Sequence, residues 1–193
     1  MQALIDAGAR DDDFPALSLV ISNVGEAFGL TRARQAGIEA LCIDHRGFSS
    51  RQEFEAVLHE KLISHAIDMV CLAGFMRVLS PFLVKLWQGK IINIHPSILP
   101  AFQGLHTHRR VLETGCLVHG CTVHEVREAL DDGPILVQGI VPVKAGDTAD
   151  GLAKRVLSME HRCYPLAAKM QAAALLRFEA VQPRLLVHDD LCA

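Results

Sequence analysis

The amino-acid sequence predicts an α/β fold, an open and mostly parallel sheet with helices on both faces and antiparallel strands toward the C-terminal half. Three observations carry the prediction. Half of the 193 residues are hydrophobic and only 5% are aromatic. The apolar residues fall in short continuous runs, as strands buried on both faces require. Those runs alternate with segments of helical spacing, the pattern of strand–helix–strand units with right-handed crossovers.

The elements follow in order. Met1 to about Ala9 has helical spacing at Ala3, Leu4 and Ala7. Ala16–Asn23 is a short apolar run followed by turn residues, a strand by length. Gly25–Ala36 reads as a helix stopped by Gly37. Ile38–Asp44 is a second strand. Ser50 can cap a helix to about Ala66, with Phe54, Val57, Leu58, Leu62 and Ile63 on its buried face. Met69–Phe75 is a continuously apolar strand, and Ser80-Pro81 opens a helix with proline at its first position. Lys90–Pro96 is a fourth strand, and Thr107 to about Gly115 is helical. VHGCTVHEV and ILVQGIVPV form two strands joined by Asp131-Asp132-Gly133-Pro134. A long helix from Thr148 to about Leu176 and a strand-like tail complete the chain.

Composition excludes several classes of function. The net charge of −3 and the high apolar fraction argue against disorder. A pI near 6.3 leaves no electrostatic footprint for nucleic acid. Mean hydropathy is +0.25, yet no run reaches the ~18 apolar residues of a spanning helix. The start MQALIDAGARDDD lacks the basic and apolar regions of a signal peptide. Cys42, Cys71, Cys116, Cys121, Cys163 and Cys192 form no CxxC pair and read as small hydrophobes in a reducing, cytoplasmic setting. No GxSxG, GxxxxGK[ST] or GxGxxG is present.

Ligands of open α/β sheets bind beyond the carboxyl ends of the strands. That directs attention to the loop after Phe75, to Asn93–Pro100 and to the turn at Asp131. Asn93 and His95 are two apart in an extended segment, so both point to one face before Pro96 turns the chain. An amide and an imidazole there either satisfy loop backbone groups or bind an oxyanion and move a proton. Turn chemistry alone accounts for Asp131, and a carboxylate at that place also favours an imidazolium neighbour. His106, His108, His119 and His124 show no zinc-ligand spacing, so no metal is expected. His124 is either a core histidine or a group supporting the site. Glu160-His161 is either a solvated pair or a contact to a substrate amine.

The string Ile92-Asn93-Ile94-His95-Pro96-Ser97-Ile98-Leu99-Pro100 resembles the signature of the folate-dependent phosphoribosylglycinamide formyltransferase family. Leu72–Ser80, Gly104–Arg109, Gly120–His124, Asp131–Ile135, Gly146–Thr148 and Glu160–Pro165 follow in family order, so the resemblance covers essentially the whole chain. It implies a Rossmann-like formyltransferase fold. It also implies transfer of a formyl group from 10-formyltetrahydrofolate, as co-substrate, to the amine of glycinamide ribonucleotide, by direct amine attack. Carried over by motif, Asn93 binds the formyl oxygen as it becomes an oxyanion. His95 stabilises that charge and helps proton transfer, and Asp131 favours the imidazolium and orients a water. The resemblance assigns folate to Arg51, Met76, Arg77, Val78, Leu79, Asn93, Arg127, Glu128, Ala129, Leu130 and Asp131. It assigns the nucleotide substrate to Leu157, Ser158, Met159 and Glu160. No nucleic acid or membrane partner is implied, and the protein is expected as a monomer or homodimer.

The family begins with an apolar strand and a glycine-serine-asparagine loop that holds the substrate phosphate. Met1–Ala7 resembles the helix after that loop. Residues 1–193 are therefore expected to form a single formyltransferase domain truncated at its N-terminus, with apolar surface and strand edges left open where the strand would lie. Two other readings remain: a truncated, inactive or merely folate-binding homologue, and a hydrolase releasing formate from formyltetrahydrofolate. A formyltransferase acting on charged tRNA is expected to carry a further domain.

Overall fold

The computed structural model describes residues 1–191, so Cys192 lies outside the described residues. The described residues hold six α-helices and seven strands: α1 (Gln2–Gly8), β1 (Leu19–Ser22), α2 (Phe28–Gln35), β2 (Glu39–Cys42), α3 (Arg51–Ser64), β3 (Val70–Leu72), α4 (Pro81–Leu86), β4 (Ile91–His95), α5 (Thr107–Thr114), β5 (Val118–Glu125), β6 (Ile135–Pro142), α6 (Ala149–Arg177) and β7 (Arg184–Val187). Helix starts follow their caps. Ser50 Oγ accepts from the Glu53 amide while the Glu53 carboxylate reaches back to Ser49. Ser80 caps α4 ahead of Pro81, and Thr148 Oγ1 accepts from Gly151 N–H at the start of α6. Helix α2 starts at Phe28, later than Gly25, because residues 24–27 form a turn closed by Ala27 N–H to Val24 O.

The expected α/β architecture is present, with helices on both faces. Adjacent residues of β4 make the point: Ile92 joins the cluster under α1, α5 and α6, whereas Ile91 joins the one under α3 and α4. Tyr164 of α6 donates to Leu72 O at 2.5 Å, and its hydroxyl lies 3.3 Å from Ile92 O, pinning the long helix across β3 and β4. Where α6 crosses β6, the position must be glycine. A Cβ on Gly139 would lie 2.2 Å from Met159 Cγ and 2.6 Å from Cys163 Sγ.

Pairing within the sheet is mixed. β3–β4 is parallel, while β4–β5 and β5–β6 are antiparallel. The strand-like tail pairs parallel with β6, because the 29-residue α6 carries the chain back to the same end. Nor is the β5–β6 connection a tight turn. Residues 126–134 form a longer loop in which Asp131 takes a positive φ of 52°.

The sheet is also divided. β1 and β2 form a parallel pair, and the order β3-β4-β5-β6-β7 forms a second, five-stranded sheet. Between β1 and β3 lies a cavity of about 1060 Å³ walled largely by apolar side chains.

Candidate active site

Asn93 and His95 leave β4 on the same face at its carboxyl end, as alternation requires. The antiparallel register sets Asn93 opposite His124 and His95 opposite Thr122. Asp131 arrives from the β5–β6 loop and completes a cluster of four. Its Oδ2 lies 3.4 Å from His95 Nδ1 and its Oδ1 lies 3.8 Å from His124 Nε2. His95, His124 and Asp131 are all buried.

The hydrogen bonds specify the protonation pattern. His95 Nε2 donates to Phe102 O at 3.0 Å, and its Nδ1 faces a carboxylate. Both ring nitrogens thus face oxygen atoms of the protein. His124 is the opposite case. Its Nδ1 donates to Glu125 O at 2.8 Å, which leaves Nε2 to accept from the Asn93 amide at 3.4 Å. Burial lowers the His124 pKa against the pull of Glu125 O and Asp131, so the ring stays neutral. A neutral His124 thus aims the Asn93 amide, a role the sequence left open beside core packing.

The loop supplying Phe102 is held from several sides. Thr122 Oγ1 donates to Ser97 O at 2.7 Å and accepts from Leu99 N–H, and Ser97 Oγ donates to Ala101 O. Gly104 N–H donates to Asp131 Oδ2 at 2.9 Å, so one loop positions both the acid and the base. Behind it, His108 and His119 pair at 3.0 Å between ring nitrogens. Burial drives His119 down to about 4, so that pair is a neutral support rather than a charge. Among the described residues no group of histidines, cysteines and carboxylates could hold a metal ion.

Apart from Asn93 on β4, the residues expected to hold folate fall on three segments: the β3–α4 loop, the 126–134 loop and the start of α3. Met76 and Val78 are exposed on the β3–α4 loop, and Arg77 is half-buried between them. Leu79 turns inward to the α3–α4 core. Arg127 pairs with Glu125 at 2.7 Å, and Glu128 reaches Lys85 of α4 at 3.8 Å. That contact leans the 126–134 loop, with exposed Ala129 and Leu130, against α4. Arg51 heads α3, one turn before Glu55. The Glu55 carboxylate is buried and accepts from both Ser80 N–H, at 2.8 Å, and Ser80 Oγ. Glu55 thereby fixes the end of the β3–α4 loop, a role the sequence analysis missed. Its signal was present: Glu55 shares the apolar helix face of Leu58 and Leu62 at i, i+3 and i+7.

Four consecutive helical residues cannot share a face, and the expected nucleotide strip divides accordingly. Met159 is 1% exposed and packs on Gly139, so its side chain belongs to the core. Leu157 and Glu160, three apart, lie on one side of α6, and exposed Ser158 donates back to Arg155 O of its own helix. Burial raises the Glu160 carboxyl to about 7, with the Met1 amine pulling the other way.

Known proteins give the same picture. A family model described as formyl transferase matches residues 1–168. The phosphoribosylglycinamide formyltransferase of Escherichia coli K12 is 45% identical over 177 residues, covering 92% of this chain and 84% of that protein. The trifunctional purine biosynthetic protein adenosine-3 of Gallus gallus is also 45% identical, but the chain spans only 18% of its length. Among solved structures, the glycinamide ribonucleotide transformylase 1 of Symbiobacterium toebii superposes with a TM-score of 0.86 at 45% identity, covering 90% of this chain and 82% of that one. The Brucella melitensis phosphoribosylglycinamide formyltransferase gives 0.85 at 48% identity, with 90% and 89% covered. The site at the end of β4 therefore sits in a chain that belongs to the formyl transferase family.

Proposed function

We propose that this protein transfers the formyl group of 10-formyltetrahydrofolate to the amine of glycinamide ribonucleotide, as a step of purine biosynthesis. The observation that carries the reading is the cluster of half-buried Asn93 with buried His95 and Asp131, oriented by His124. The substrate amine attacks the formyl carbon and the carbonyl oxygen gains the electron pair. Asn93 Nδ2 has a second N–H beyond the one given to His124, and it donates to that oxyanion. The His95 imidazolium, paired with Asp131, adds its field. Both interactions strengthen as charge develops, so they lower the barrier rather than only binding the ground state. Collapse of the intermediate breaks the bond to the folate nitrogen, which takes a proton from His95. The proton shed by the attacking amine restores the imidazolium.

Exposed Met76, Val78 and Leu130 offer an apolar platform for a flat pterin ring, with Arg51, Arg77 and Arg127 as cationic partners for its polar end. Glu160 suits the amine end of the nucleotide, with Leu157 beside it. The family reading makes this a cytoplasmic enzyme working as a monomer or homodimer; separately, among the described residues no helix is long and apolar enough to cross a membrane.

The test measures loss of 10-formyltetrahydrofolate with and without glycinamide ribonucleotide. Turnover that needs the nucleotide supports the reading, and steady formate release without any amine points to a hydrolase instead. His95→Ala should lower turnover more than tenfold while folate binding persists, given the ~10²–10⁴ usual for acid–base groups. Activity above a tenth of the parent's would remove His95 from its role.

A further inference from the structure

Two loops meet over the site, and three of their non-glycine residues hold left-handed backbone. Phe102 has a φ of 57° and His106 one of 58° in the β4–α5 loop, and Asp131 has 52° in the β5–β6 loop. That conformation is unfavourable for a residue with a Cβ and persists only where the surroundings enforce it. Two of the three carry groups of the site. Phe102 O accepts from His95 Nε2, and the Asp131 carboxylate faces His95 Nδ1. His95 is thereby held between the loops, with one contact from each.

The side chains that enforce this arrangement lie outside the cluster. Gln103 Nε2 donates to Asp131 O at 3.2 Å and to Leu130 O at 3.4 Å, so one amide spans from the first loop to the second. Arg110, in the first turn of α5, reaches back over the first loop. Its Nη1 donates to Gln103 O at 2.6 Å and to Leu105 O at 3.4 Å. Its guanidinium carbon lies 5.5 Å from the centre of the Phe102 ring, within cation–π range. The same ring meets His119 edge-on, so Phe102 sits between Arg110 and the core. The next residue of α5, Val111, is fully buried, so Arg110 ties the loop to a fixed element. Gln103 and Arg110 are themselves exposed, so core packing does not account for their contacts.

We propose that Gln103 and Arg110 are positioning residues for formyl transfer. Arg110 fixes the loop that presents Phe102 O, and Gln103 locks that loop to the one that presents Asp131. Together they set the distances at which His95 meets its two partners. This rests on the formyl-transfer reading of the site, whereas the holding of the loops is measurable without any substrate. A misplacement of ~1 Å costs up to ~10² in rate, and water replaces part of an exposed hydrogen bond, so each single loss should lower kcat by about 5–30-fold.

The experiment compares the full chain with Gln103→Met, which keeps the length of the side chain but no donor, with Arg110→Ala, with both together and with Arg110→Lys. Arg109→Ala is the control, because Arg109 pairs with Glu113 along the exposed face of α5. Hydrogen exchange is followed at the Gly104 amide, which donates to Asp131 across the two loops. In Gln103→Met and Arg110→Ala that amide should exchange at least ~5-fold faster while Tm stays within about 3 °C of the parent's. kcat should fall as stated while KM for glycinamide ribonucleotide changes by less than about twofold. Arg110→Lys, which keeps a cation and a donor, should stand between Arg110→Ala and the parent, and Arg109→Ala should match the parent throughout. The double variant should lose less than the product of the two single losses, because both free the same loop. Parent-like Gly104 exchange in both single variants overturns the clamp. Faster exchange with unchanged kcat overturns the positioning role, and losses that multiply in the double variant overturn its unity. A parent without nucleotide-dependent turnover removes the formyl-transfer reading instead, and the exchange data then judge the clamp alone.

Discussion

Asp131→Asn isolates the charge at the centre of the cluster. The substitution keeps the size and shape of the side chain, and its amide oxygen can still accept from Gly104 N–H, now 2.9 Å from Oδ2. The loop that carries Phe102 O is therefore retained. What disappears is the carboxylate 3.4 Å from His95 Nδ1. Two unit charges at that separation interact by about 5 kcal/mol at an effective dielectric of ~20, an upper figure for the pair. If half of it is lost at the transition state, the rate falls by about 10², and if most of it is lost, by more than 10³. We expect kcat for formyl transfer to fall by 10²–10³ at neutral pH, with KM for either substrate changed by less than about threefold, because the charge acts on the developing oxyanion and not on the bound ground state. The assay is steady-state loss of 10-formyltetrahydrofolate with glycinamide ribonucleotide as acceptor, with Tm as the check on folding. A folded variant within tenfold of the parent's kcat refutes the argument that the His95–Asp131 pair supplies the charge.

Three further outcomes follow from the same geometry. Glu160 has its carboxyl raised from 4.5 to about 7 by burial, so the folded state holds that proton more tightly; its contribution to stability is full below pH 4.5 and is lost as pH rises through 7. Glu160→Gln should therefore raise Tm relative to the parent at pH 8 but not at pH 4, while weakening nucleotide binding, and parallel Tm–pH curves would contradict it. His119 is the reverse case: held near 4 chiefly by burial, it stabilises the fold above pH 6.5 and loses that contribution as pH falls toward 4. His119→Gln should be less stable at pH 7 by about 1–2 kcal/mol, for the lost His108 contact, yet lose less on acidification, and an unshifted acid-unfolding midpoint would count against this. Gly139→Ala places a methyl 2.2 Å from Met159 Cγ, an overpacking of about 1–3 kcal/mol that should lower Tm by about 3–10 °C, and an unchanged Tm would mean α6 can lift off the sheet freely.

Much of the site was legible because its spacing is local. Asn93 and His95 share a face whatever surrounds β4, since strand alternation alone decides it. Apart from the family resemblance, turn chemistry alone accounted for Asp131. Its approach to within 3.4 Å of His95 depends on a loop from two strands away. His124 was ambiguous for the same reason: whether it packs or aims Asn93 is a matter of register between β4 and β5, which no single strand contains. Met159 was placed with its neighbours on a substrate strip because consecutive residues look equivalent in a motif, whereas a helix turns each by ~100° and sends this one into the core. Glu55 went unread because a carboxylate on an apolar helix face gains meaning only from Ser80, 25 residues later.

The sequence by itself determined the α/β order of elements, the helix caps and the pairing of an amide with an imidazole at a strand end, because each depends on residues within one turn or one strand. Tertiary structure decided the protonation pattern of the histidines, the parallel placement of β7 and the division of the sheet beside β1. Those depend on distances between elements far apart in the chain, which pattern and propensity do not encode.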